Sequence, residues 1–247
     1  MSLLSISRPV GSVRQWGQAM GLSQVAADRI HGSLSSPGKM PCKSYGIPAA
    51  ACIVGSKLRA SSTKAKPTVC GSCYALKNQY LWDNVKACQQ RRLASVRRAC
   101  TDTSFAAQWI RAMVTSIGWT SRDSGVFRWH DSGDLQSMRH LSLIVDIADL
   151  LPWIRFWIPT RERQIVRQWI DANGPLPANI TVRESLAMVG HFPRAIEPGR
   201  TISAVARKGQ DLPKGSHACP ARHQGGFCND CRACWTPTVP LVIYPLH

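Results

Sequence analysis

The stretch "HACPARHQGGFCNDCRACW", residues 217 to 235, gathers Cys219, Cys228, Cys231 and Cys234 among small and polar residues in the pattern C-x8-C-x2-C-x2-C. Thiols two residues apart point inward from a tight loop, and three in series wrap an iron–sulfur cube corner by corner, as in bacterial ferredoxins. Zinc more often takes two separated C-x2-C knuckles that close one tetrahedron, but four cysteines satisfy it too, so zinc stands as the alternative to iron–sulfur. A second set, Cys42, Cys52, Cys70 and Cys73, is looser, and only Cys70 and Cys73 are close, in "CGSCYA". Three or four of these form a further site, with the part of Cys42 left open. Ten cysteines with no charged leader before an apolar core ("MSLLSISRPVGSVRQW" is too polar) point to metal or cluster ligation rather than a disulfide framework. Cys88 and Cys100 fall on the apolar face of a helical pattern and read as small core residues.

Charge points to a partner. The formal net charge is +17, and residues 40–100 carry 11 Lys or Arg against a single acid, Asp83. A field of that sign attracts polyanions, so nucleic acid is the expected partner of the 40–100 region; a solubility face or a phosphate-bearing ligand would give the same charge. No apolar run approaches the ~18 residues of a membrane span, so a soluble protein is expected. A serine or cysteine nucleophile motif, a phosphate loop and a dinucleotide fingerprint are all missing, which leaves those enzyme classes without support.

The elements that must hold these groups follow from periodicity. "RQWGQAMGLSQVAADRIHG" has helical apolar spacing and predicts a helical arm over residues 1–36, with a "GLSQ" turn faintly like that of a helix-turn-helix. "SYGIPAAAC" predicts a short strand and "IVGSKLRASSTKAKPT" a basic loop. A long helix is expected from Tyr74 to Cys100, flanked by Arg91, Arg92, Arg97 and Arg98, then a second helix over "DTSFAAQWIRAMVTSIG". "VFRWH", "IRFWIP", "NITVR" and "TISAVA" read as strands separated by the helices "SMRHLSLIVDIADLLP" and "RERQIVRQWIDANG". Such alternation implies parallel βαβ units. The expected fold is therefore α/β, an incomplete parallel (β/α) barrel over 37–212, closed by a cysteine-rich segment over 213–247. Ligands of such sheets collect at the carboxyl ends of the strands. Those ends carry His130 to Asp134, then Thr160-Arg161-Glu162, then Arg183-Glu184-Ser185. His130 with Asp131 or Asp134 would also suit metal-independent acid–base chemistry.

Read in order, "SYGIPAAAC", "CGSCYALKNQY", "FRWHDSGDL", "FWIPTRE" and "CNDCRACW" resemble the phage and prophage family called gene product 88, from about residue 40 to 235. That resemblance implies the cytoplasm of a bacterial host as the setting, and no activity. More distantly, the chain resembles radical S-adenosylmethionine enzymes, in which three cysteines after the first strand of a partial barrel ligate a 4Fe-4S cluster with one iron left open to the cofactor. The resemblance implies that Cys52, Cys70 and Cys73 hold such a cluster and that Ser132, Gly133 and Asp134 contact S-adenosylmethionine. His130, Asp134, Arg161 and Arg183 would then be catalytic or face the substrate. Cys219, Cys228, Cys231 and Cys234 would hold a second, auxiliary cluster. The superfamily's usual C-x3-C-x2-C spacing is not kept, because 17 residues separate Cys52 from Cys70. Cys42, as a fourth thiolate, would close the N-terminal cluster and turn it from a catalyst into a brace or relay. The function expected is a radical S-adenosylmethionine-like enzyme modifying nucleic acid; the alternative is a non-catalytic, zinc- or cluster-braced nucleic-acid-binding protein.

Overall fold

Short apolar runs alternating with longer amphipathic ones resolve, in a computed structural model describing residues 6–246, into seven strands and seven helices. The strands are β1 (Ser44–Tyr45), β2 (Val126–Trp129), β3 (Arg155–Thr160), β4 (Ile180–Ser185), β5 (Thr201–Ala206), β6 (His217–Ala218) and β7 (Leu241–Pro245). All pair in parallel in one open sheet of order β1-β2-β3-β4-β5-β7-β6. The first five lie side by side in chain order, without the reversal that marks a doubly wound sheet. The parallel α/β architecture expected from the sequence is therefore present as a single seven-stranded sheet with two edges, β1 and β6.

The helices are α1 (Val13–Met20), α2 (Gln24–His31), α3 (Ile53–Ala60), α4 (Asp83–Thr101), α5 (Thr103–Thr120), α6 (Met138–Leu150) and α7 (Arg163–Asn173). Side chains alternate across a strand, so β2 sends Phe127 and Trp129 one way and Val126 and Arg128 the other. Phe127, Trp129, Phe156 and Ile158 meet Val96, Trp109, Met113, Leu141 and Ile144 from α4, α5 and α6 in the main core. On the opposite face Val126 and Trp157 pack with Cys42 and Trp235, and Met40, Cys234 and Tyr244 border them. The sheet is thus covered on both sides, which explains why β2 and β3 read as near-continuous apolar runs.

One element matches the sequence reading in outline and two differ. The arm is two helices parted at the "GLSQ" turn, where Gly21 takes a left-handed conformation (φ 63°) and ends α1. Both lie on α5: Trp16 Nε1 donates to the Thr115 carbonyl at 2.8 Å, and His31 Nε2 pairs with Ser116 Oγ at 2.8 Å. The basic loop contains α3. The long helix begins at Asp83 rather than Tyr74, because residues 74–81 form 3-10 turns with Asn78 at φ 50°. Asp83 then sits in the first turn of α4, where its charge suits the helix dipole.

Candidate functional site

Cys52 is the residue before α3, and Gly55 lies one turn along. A Cβ on Gly55 would stand 3.5 Å from Cys70 Sγ and 3.6 Å from Cys52 Sγ, so both thiols flank one glycine. The 17 intervening residues are spent on α3 and its return, which brings two distant cysteines to one place. The return is stitched down: Thr68 Oγ1 donates to the Leu58 carbonyl at 2.9 Å, and Val69 N to the Ala187 carbonyl at 2.8 Å. Thr68 then caps the 3-10 turn carrying Cys70, and Cys73 N donates back to the Cys70 carbonyl at 3.3 Å. Burial pushes the Cys52 thiol up to about 12, with Asp134, Cys73, Cys70 and Glu162 adding to it. Burial also raises Cys70, opposed by the Arg161 guanidinium and reinforced by Cys73. Cys52 and Cys70 thus resist ionisation, a balance that a bound cation would reverse.

The strand-end rim encloses this group. Asp134 Oδ1 accepts from Thr160 Oγ1 at 2.6 Å and Leu135 N at 2.8 Å, and Oδ2 accepts from Arg161 N at 2.9 Å. Burial lifts its pKa to about 6 despite those bonds. Ser132 Oγ donates to the Ile47 carbonyl at 2.9 Å and accepts from Gln89 at 2.7 Å. Gly133 (φ 76°) lies so near that a Cβ would be 2.3 Å from Ile47 Cγ1, a conformation and an approach that only glycine tolerates. Ser132 and Gly133 therefore dock the rim onto residues 46–47, and Asp134 ties it to the end of β3. His130 is buried at φ 57° with no partner for either ring nitrogen. Arg161 has a buried Nε without a partner, and the residue lines a cleft of about 480 Å³ with Val54, Leu58, Ser185, Met188 and Phe192.

Arg183, expected to face a substrate, is fully buried with every N–H engaged. Nε donates to the Cys234 carbonyl (3.0 Å), Nη1 to Val239 (2.9 Å) and Ile202 (3.5 Å), and Nη2 to Ala233 (2.6 Å) and Thr236 (2.9 Å). It pegs the C-terminal segment to the sheet. Glu162, absent from the sequence-based site, is 4 % exposed and accepts from Val54 N at 2.8 Å, so it caps α3 beside Cys52. The only signal for it was its place next to Arg161 at a strand end.

The second group lies on the other face of the sheet. Cys231 N donates to the Cys228 carbonyl at 3.0 Å, and Cys219 N to the Ile243 carbonyl at 2.8 Å. Cys231 Sγ is 3.4 Å from His217 Nε2, and Cys234 Sγ is 3.1 Å from the Tyr244 hydroxyl. Burial pushes Cys234 up to about 11 and raises Cys219 and Cys228, each of which also feels neighbouring thiols. Cys42 belongs here. Burial pushes it up to about 12, Cys228 adds to the rise, and the Arg128 and Arg232 guanidinium groups oppose it. Arg128 is the hinge between the groups: Nη1 reaches Met40 Sδ at 3.2 Å, Nη2 reaches the Tyr74 hydroxyl at 3.2 Å, and the guanidinium lies 4.5 Å from the Trp157 ring centroid. Among the described residues, no three Cys, His, Asp or Glu side chains converge on one point that would seat a single metal ion.

No curated protein and no solved structure matches the chain. The model of the family described as gene product 88 matches residues 20–237, nearly the whole chain, and the chain therefore belongs to the gene product 88 family.

Proposed function

We propose that this chain is an iron–sulfur protein of phage or prophage origin, acting as a radical S-adenosylmethionine-like enzyme on nucleic acid. The observation that carries the reading is the separation of the two cysteine groups: Cys42 packs with Trp235 and is bordered by Cys234, while Cys52 and Cys70 flank Gly55 and Cys73 follows Cys70 on the same turn. Three thiolates hold three corners of a four-iron cube and leave the fourth for a different ligand. Such a cluster, held by Cys52, Cys70 and Cys73, would supply one-electron reducing power to a sulfonium cofactor. The chain's own residues do the rest. Glu162 fixes the start of α3 and hence Cys52, Asp134 fixes the β3 end, and Arg161 lines the cleft, where its guanidinium would meet a phosphate or carboxylate. Ser132 and Gly133 shape the rim, while His130 and Arg183 belong to its scaffold.

The basic region supports a nucleic-acid substrate. Lys57, Lys64, Lys66, Lys77 and Lys86 are all exposed, and among them stand Tyr74 (46 % exposed) and Trp82 (62 % exposed). Cations interleaved with open aromatic rings suit a single strand, whose bases stack while its phosphates pair. That same surface favours the second reading, a non-catalytic nucleic-acid binder braced by zinc or a closed cluster. Anaerobic purification with iron, sulfide and zinc analysis separates the two. The enzyme reading expects brown protein with ~8 iron and ~8 sulfide per chain, and a cluster paramagnetic resonance signal that shifts on adding S-adenosylmethionine. Zinc without sulfide, or a signal indifferent to the cofactor, would overturn it.

A further inference from the structure

We propose that the cleft between α3 and residues 185–193 is a nucleotide seat, with one base against its apolar wall and the phosphate on Arg161 and Arg163. The proposal deepens the nucleic-acid reading above and rests on it only for where the nucleotide comes from. The cleft holds about 480 Å³, within the ~300–1,000 Å³ of small-molecule sites. One wall is α3, where Val54 and Leu58 stand four residues apart on one helix face. Gly55, flanked by the Cys52 and Cys70 thiols, follows Val54, so an occupant of the cleft meets the same helix turn as the N-terminal thiols. The other wall carries Met188 and Phe192 and is stitched down along its length. Val69 N donates to the Ala187 carbonyl at 2.8 Å, Val189 N to the Pro67 carbonyl at 3.1 Å, and Gly190 N to the Val205 carbonyl at 2.8 Å. The return from α3 holds this wall on one side and β5 on the other, so the seat is preformed.

The ionisable groups lining the cleft, among the described residues, are Arg161, Arg163 and the exposed His191, with no carboxylate between them. Arg161 has a buried Nε without a partner. Arg163 gives Nε to Glu184 at 3.2 Å, but Arg200 shares that carboxylate, which cannot neutralise both. A ligand that suits this lining has an apolar or flat body and an anionic oxygen group for the guanidinium forks. A fatty acid and a nucleotide both meet that description. The field outside the cleft separates them: exposed Lys57, Lys64 and Lys66 continue the positive charge along α3 and its return. Anionic groups that repeat along a strand match that continuation, and a base ring stacks on Phe192 where an acyl chain would not. The chemistry recognised is a nucleoside monophosphate, free or within a single strand.

The first test photo-crosslinks the full chain to 8-azidoadenosine monophosphate and maps the label by peptide mass spectrometry. Label within residues 53–60 or 185–193, displaced by excess adenosine monophosphate, is expected; label elsewhere, or none, would overturn the proposal. The second test measures adenosine monophosphate, adenosine and inorganic phosphate by calorimetry. The nucleotide is expected to bind about tenfold tighter than either fragment. Arg161→Gln should cost the nucleotide about tenfold, and Phe192→Leu, which keeps the apolar packing, about fivefold. Equal affinity for phosphate and nucleotide, or both variants binding as the parent does, would overturn it. A short oligoadenylate competing with adenosine monophosphate then decides the source. Displacement places the nucleotide in a strand. Its failure, with adenosine monophosphate still seated, supports the seat and overturns the nucleic-acid substrate instead. Oligoadenylate binding to a chain that ignores adenosine monophosphate would do the reverse.

Discussion

Single residues on this rim look alike in sequence and differ in structure. Arg161 and Arg183 both end strands, yet one has an idle Nε and the other is saturated by carbonyls contributed from residues 202 to 239. Partners that far along the chain leave no local pattern, so the sequence could place the rim but not tell a binding group from a peg. The buried histidines show the same limit and give a prediction. His130 and His140 stand edge to face, 5.5 Å between ring centroids. Burial, then His140 and Arg128, drives the His130 pKa well below 6.5, and burial takes His140 to about 4. His31 falls to about 3 through burial and Arg92, although Asp28 lies 3.5 Å away, because full burial of the ring outweighs a partner that is part-exposed. Unfolded, each ring titrates near 6.5, so below that pH the unfolded chain binds more protons and stability falls as pH falls. Asp134, at about 6 folded against 3.8 unfolded, has the opposite sign, as do Asp28, Asp146 and Asp149, whose carboxyls burial also raises, but between pH 7 and pH 5 the three depressed imidazoles outweigh them. The melting temperature should therefore drop from pH 7 to pH 5, with a shallower drop in His140→Gln. A flat or rising profile by calorimetry would contradict buried neutral rings.

At the scale of elements, the strands and helices from β2 to β5 were legible because each carries a strong period. What was missed is what lacks one. α3 buries only Gly55 outright, so it leaves no apolar stripe to read, and it starts where Glu162, more than 100 residues on, caps Val54. β6 is two residues long, and β7 enters the sheet between β5 and β6, a placement set by the peg at Arg183 and by Trp235 Nε1 donating to the Phe127 carbonyl at 2.8 Å. The C-x17-C spacing that departs from the three-cysteine pattern is the cost of α3, and folding α3 cancels it. The cap is therefore the element's weak point. Glu162→Ala should destabilise the protein by about 1–2 kcal/mol and loosen the N-terminal thiols, while Glu162→Gln, which keeps the acceptor, should lose only a few tenths. Chemical denaturation together with the labelling rate of Cys52 reports both effects; equal loss in the two variants would mean that charge, not the hydrogen bond, holds α3.

For the whole molecule, the sheet divides labour: helices cover one face, the cysteine segment covers the other, and the basic stretch runs past the rim where the N-terminal thiols lie. Charge alone could not say which cations are free. Arg92 is spent on the Ser33 and Gly46 carbonyls and Ser35 Oγ, and Arg98 pairs with Asp102 at 3.5 Å and stacks 4.1 Å over Phe105. Lys86 is paired with Asp83 at 3.5 Å, and the exposed cations of the 40–100 region outside these pairs are Lys57, Lys64, Lys66, Lys77, Arg91 and Arg97, with Trp82 and Tyr74 exposed in the same stretch, so the surface is smaller and more aromatic than a count of charges implies. Phosphate contacts set the salt dependence of binding and stacking does not. Trp82→Ala should then weaken single-stranded DNA or RNA binding by about 1–3 kcal/mol with the slope of log affinity against log salt unchanged. Lys64→Glu with Lys66→Glu should flatten that slope by about one to two units, since roughly 0.7 of a counterion is released per phosphate neutralised on a single strand. Fluorescence anisotropy at several salt concentrations separates the two effects. Trp82→Ala binding as tightly as the parent, or a duplex preferred over the single strand, would remove the aromatic surface from the interface and leave only nonspecific charge.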